Sequence, residues 1–148
     1  AVFFVIGEKV RRFPELSKEI VARGHELGNH TMTHPQYRIW CAGPARMRRE
    51  IEGCSRAVED VTGQRPRWFR APVGHRNYFT HPIAAELGME VVAWSRRGFD
   101  TLDRNIEAIV TDLTKELGSG EILLLHECTK LAPRIVKRVL EEVAPLKS

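Results

Sequence analysis

Val2-Phe3-Phe4-Val5-Ile6 and Glu26-Leu27-Gly28-Asn29 read as two strands, and the helical pattern between them opens at Pro14 and stops before Gly24. Strand, helix and strand in that order make a parallel crossover unit. The alternation continues, with further strands predicted over residues 68–71, 91–94 and 122–125. A helix from about Pro44 places Met47, Ile51, Cys54 and Val58 on one stripe and stops near Gly63, and another covers residues 80–87 before Gly88. The next is expected to be capped by Asp103 and to space Ile106, Val110, Leu113 and Leu117 before Gly118. The last begins near Pro133 and uses Ile135, Val136, Val139 and Leu140. Such a pattern predicts an α/β fold on a parallel sheet.

The 148 residues contain no repeats and no linker, so residues 1–148 read as a single domain, long enough to bury a core without staples. No apolar run approaches the roughly 20 residues of a membrane span. No charge-led leader stands at Ala1, and the compartment is left open. Cys41, Cys54 and Cys128 are odd in number and widely spaced, which reads as free thiols. The net charge of +4 could suit an anionic partner. Yet Arg46, Arg48 and Arg49 sit beside Glu50 and Glu52 on what reads as a solvated helix face, with no aromatics interleaved for base stacking. Nucleic acid is therefore not expected as a partner. The first strand is nearly continuous in apolar residues, as a strand covered on both faces and flanked on both sides would be. It is expected either to follow a further β-strand and helix or to self-associate, a second copy covering the open sheet edge.

Three segments fall where a strand is predicted to end, and they are expected to meet at one rim: His30-Thr31-Met32-Thr33-His34, Arg70-Ala71-Pro72-Val73-Gly74 and Leu124-Leu125-His126. Histidines four apart in a helical turn can aim both imidazoles at one ion, although alone they are as readily structural. Arg70 at a strand end before a proline-constrained turn could grip a carboxylate bidentately, or form an ordinary surface salt bridge. His126 could exchange protons near neutral pH.

In order and spacing these segments resemble the NodB-like polysaccharide deacetylases, carbohydrate esterase family four. His30, Thr31 and His34 meet the family's His-Ser/Thr-x-x-His motif. Arg70, Pro72 and Gly74 meet Arg-x-Pro-x-Gly, and Leu124 and His126 meet Leu-x-His. The resemblance implies a distorted (β/α) barrel, here missing its first β/α unit, that hydrolyses the N-acetyl amide of N-acetylhexosamine units in a carbohydrate substrate with a divalent metal, commonly zinc. His30 and His34 would be metal ligands, the Val73 N–H would help bind the oxyanion, and Leu124 would line the pocket for the acetyl methyl. His126 would protonate the leaving amine, Asp100 would orient His126, and Arg70 would orient a catalytic base. Two departures stand out. Thr101 follows Asp100 where the family has tryptophan, with Trp94 upstream on the predicted strand instead. The family's Thr-Phe-Asp-Asp-Gly motif, source of the base and of a third ligand, is expected before Ala1. The alternative is a non-catalytic carbohydrate-binding relative that lacks the base.

Overall fold

The computed structural model describes residues 1–144 and resolves into two compact units, Ala1–Val92 and Ala93–Ser148. The first unit carries strands β1 (Val2–Val5), β2 (Glu26–Asn29), β3 (Trp68–Phe69) and β4 (Glu90–Val91), all parallel and in the spatial order β1-β2-β3-β4. Its helices are α1 (Gly7–Arg12), α2 (Pro14–Ala22), α3 (Pro44–Thr62) and α4 (Thr80–Glu86). The second unit holds β5 (Arg96–Arg97) paired in parallel with β6 (Leu123–Leu124), and helices α5 (Ile106–Thr114) and α6 (Ala132–Val143). The α/β class with parallel pairing is as the periodicity predicts.

α3 is the principal scaffold of the first unit. Pro44 opens it, and Gly63 ends it in the left-handed conformation at φ 70°, which donates its N–H to the Glu59 carbonyl. Met47 and Ile51 join Phe69, Ile83 and Ala84 in one cluster, while Cys54 and Val58 join Val10 and Leu27 in another. Burial pushes the Cys54 thiol up to about 12. In the second unit Ile109, Val110 and Leu113 of α5 meet Ile135 and Val139 of α6.

Several expectations are corrected. Short α1 and β5 went unpredicted, because neither has enough length to show a period. α5 is capped two residues later than expected, by Asn105, whose Oδ1 accepts from the Ala108 N–H at 3.0 Å, and it ends at Thr114, before Leu117. Val136 and Leu140 stand 41% and 61% exposed, since α6 turns only its Ala132, Ile135 and Val139 edge inward. β4 stops at Val91, so Trp94 lies beyond the strand. Glu50, placed with the solvated arginines by sequence, is 8% exposed on the buried stripe of α3.

β1 stands at the end of the strand order, and Phe4 pairs in register with Gly28 of β2. A Cβ at Gly28 would lie 2.6 Å from the Phe4 ring. The ring therefore covers the glycine, and the Arg70 guanidinium carbon in turn lies 4.0 Å from the Phe4 ring centroid. Replacing Gly28 by alanine should push this ring aside. We expect G28A to lose about 1–3 kcal/mol of stability in chemical denaturation, the usual cost of overpacking, and G28A in combination with Phe4→Leu to recover part of it.

Candidate functional site

In the first unit the site grows from the C-terminal end of β2. Residues 30–35 form no regular element, so the helical turn expected to carry the two histidines is absent. Thr31 and His34 have φ 69° and 54°, left-handed values incompatible with an α-helical turn and strained for these residue types. Neighbouring hydrogen bonds hold the loop. The Thr31 N–H donates to Asn29 Oδ1 at 2.9 Å, and the His34 N–H donates to Thr31 Oγ1 at 3.1 Å. The first N–H groups of α1, from Gly7 and Glu8, donate to the carbonyls of Thr31 and Met32 at 3.1 and 3.0 Å. Gly7 also admits the close approach of this loop, since a Cβ there would lie 2.4 Å from Met32 Sδ.

His30 and His34 are brought together, ring centroids 4.8 Å apart. His30 Nδ1 lies 2.6 Å from the Arg70 carbonyl oxygen. A carbonyl can only accept, so Nδ1 donates to it, and Nε2 is the ring nitrogen through which His30 would bind a metal. Among the described residues no group of three or more His, Cys, Asp and Glu side chains is placed to hold an ion. The two imidazoles thus fit part of the shell of a divalent ion and do not complete a four-ligand one.

Arg70 follows β3 and is 8% exposed, its N–H bonded to the Asn29 carbonyl at 2.9 Å. Burial lowers its guanidinium to about 10, so it stays charged at neutral pH. Val73 sits in a one-turn 3-10 helix, Pro72–Gly74, at φ 49°. An open cleft of about 540 Å³ adjoins that turn, lined by Trp40, Gly74, His75 and Arg76. The Asn77 amide stiffens the cleft by donating to the carbonyls of Trp40 and Ala42 at 3.1 and 2.8 Å.

In the second unit Asp100 and His126 are in direct contact. Asp100 Oδ2 accepts the His126 backbone N–H at 2.6 Å, and Oδ1 lies 3.0 Å from His126 Nδ1. The carboxylate side chain is buried, and about a third of the His126 side chain is exposed. Nδ1 donates to the carboxylate, so Nε2 is the ring nitrogen that Asp100 does not engage. Leu124 of β6 is buried at 7% exposure.

Residues 1–92 match the family model described as polysaccharide deacetylase. The chain belongs to this family. It is 38% identical over 128 residues to a chitooligosaccharide deacetylase of Bradyrhizobium sp. (strain ANU 289), covering 86% of this chain and 58% of that protein. It is 34% identical over 131 residues to a peptidoglycan-N-acetylglucosamine deacetylase of Bacillus cereus, covering 86% and 59%. The chain thus spans somewhat under two thirds of the length of these relatives. A family 4 carbohydrate esterase from Streptomyces lividans, solved in complex with acetate, superposes with a TM-score of 0.91 at 27% identity, over 99% of this chain and 74% of that one.

Sequence reasoning missed Asn29, Glu50 and Asn77, the polar residues that hold these loops. A signal existed for Glu50: it adjoins Ile51 and falls three residues after Met47 and four before Cys54, on the apolar stripe of α3.

The Asp100 geometry yields a sharp expectation for Asp100→Asn. The asparagine oxygen must take the place of Oδ2 to accept the His126 backbone N–H, which turns the amide NH2 toward Nδ1. His126 should then switch from the Nδ1–H to the Nε2–H tautomer, visible in imidazole 15N shifts at a pH where the ring is neutral. An unchanged tautomer would show that the carboxylate does not set the ring.

Proposed function

We propose that this deacetylase-family chain takes part in metal-dependent hydrolysis of the N-acetyl amide of N-acetylhexosamine units in a polysaccharide or oligosaccharide, with residues 1–148 acting as one domain. The observation that carries the reading is the close pairing of the His30 and His34 rings, with His30 held through Nδ1 on the Arg70 carbonyl so that Nε2 is the nitrogen that would meet an ion. His30 and His34 would hold the ion, zinc being the family's common choice. Bound there, a divalent ion supplies Lewis acidity to the amide carbonyl and lowers the pKa of a water. The Val73 N–H stabilises the developing oxyanion, an interaction available from a backbone donor without reorganisation. His126, held through Nδ1 by Asp100, donates the proton that the leaving amine requires. Leu124 receives the acetyl methyl, and Arg70 would orient the carboxylate of a general base. The open cleft of about 540 Å³ bordered by Trp40 and Arg76 would receive a neighbouring sugar ring.

The absence of a third acidic or thiol ligand beside the histidines among the described residues favours a second reading, a carbohydrate-binding relative without turnover. Two measurements separate them. Zinc titration of the chain and of a His30→Ala, His34→Ala double variant should show weak binding in the parent and none in the variant; equal metal content would remove the ligand assignment. Acetate release from N-acetylglucosamine oligomers with added zinc or cobalt should be slow for residues 1–148 alone. Loss of general-base assistance costs on the order of 10² to 10⁴ in rate. Adding any natural upstream coding sequence that supplies an Asp-Asp pair should restore it. Full turnover by the 148-residue chain alone would place the base inside it, at Glu127 or Asp103, and overturn the assignment of Arg70.

A further inference from the structure

Glu50 is the one acidic side chain buried on α3, and its surroundings explain why an acid stands there. Its Oε2 accepts the Thr33 N–H at 2.9 Å, and its Oε1 accepts the Thr33 hydroxyl at 2.7 Å. Its own backbone carbonyl accepts the Met32 N–H at 2.9 Å. All three bonds therefore fall on the two residues immediately before His34, inside the span from His30 to His34. That span is strained at both Thr31 and His34, and a strained loop persists only where its surroundings over-determine it. Thr33 itself is exposed, so its order comes from this carboxylate and not from packing.

We propose that Glu50 is a positioning residue for the His30–His34 pair: by gripping Thr33 through both its N–H and its hydroxyl, it sets the loop for one divalent ion before the ion arrives. The inference rests on the metal-binding reading of those histidines and adds to it a residue outside every family motif identified in this chain. A carboxylate suits the task because its two oxygens accept two donors from one residue. Once formed before binding, the loop leaves less ordering cost for the ion to overcome. Glutamine can imitate the arrangement without the charge. Its carbonyl would accept the Thr33 N–H while its NH2 donates to Thr33 Oγ1. Alanine can do neither.

The test is zinc affinity of the full chain by chelator competition at neutral pH, with the cobalt(II) visible spectrum as a report on ligand geometry. Glu50→Ala should bind zinc about 10- to 100-fold more weakly, the range typical of residues that orient metal ligands from behind. Its cobalt band should shift or weaken. Glu50→Gln should stay close to the parent in both readouts. Thr33→Val, at an exposed position, removes only the hydroxyl bond and should weaken zinc binding by up to about tenfold, the worth of one hydrogen bond. Parental affinity in Glu50→Ala overturns the inference. So does a Glu50→Gln as weak as Glu50→Ala, because the effect would then be one of charge and not of position. If Glu50→Ala fails to fold, Thr33→Val decides: parental affinity and an unchanged cobalt band overturn the inference. Zinc binding by the parent that survives the His30→Ala, His34→Ala double substitution overturns the metal reading itself, and the Glu50 inference with it.

Discussion

The side chain of Asn29 joins the end of β2 to the middle of α3, and the geometry of the histidine loop depends on that junction. The residue is fully buried, with Nδ2 donating to the Ile51 carbonyl at 2.7 Å and to Ser55 Oγ at 2.9 Å while Oδ1 accepts the Thr31 N–H. Its backbone carbonyl accepts from Arg70, which sets β3 beside it. One amide thus satisfies a helix, a hydroxyl and a loop at a fully buried position, where each group left alone would cost about 1–3 kcal/mol. No apolar residue could meet these demands, and aspartate, an acceptor only, would face the Ile51 carbonyl without a proton to give.

The remaining parts of the first unit are arranged around that junction in a way that makes fold and site hard to separate. α1 satisfies its leading N–H groups on the same loop that carries the histidines. The Arg70 carbonyl sets the tautomer of His30, and the Arg70 guanidinium covers Phe4, which covers Gly28. A change in the strand register would therefore reach the His30 ring through Phe4 and Arg70. In the second unit the same economy recurs on a smaller scale, where one buried carboxylate holds both the backbone and the ring of His126.

Much of this was legible in the chain. The alternation of apolar runs with amphipathic stripes, punctuated by Gly24, Gly63 and Gly88, identifies the longer elements because periodicity and termination are local properties. The boundaries at α2 and α3 agree closely with expectation for that reason, as each opens on a proline and is followed by a glycine at positive φ. Short elements such as α1 and β5 were not legible, since six or two residues carry no period. The cap of α5 was misplaced because Asp103 and Asn105 both have the oxygen a cap requires, and only the path of the chain selects between them.

The order and spacing of the His30–His34, Arg70–Gly74 and Leu124–His126 segments sufficed by themselves to indicate the family, because those residue types and gaps are read directly along the chain. How the histidines are held was decided by tertiary structure alone. Sequence spacing suggested a helical turn, yet the loop is left-handed at two residues and stands only because Asn29, Glu50 and α1 take up its hydrogen bonds from three directions. Glu50 lies 17 residues beyond Thr33 in the chain, and α1 precedes the loop by a whole helix and strand. A carboxylate on a helix stripe cannot declare, without its neighbours, whether it faces water or a pair of donors.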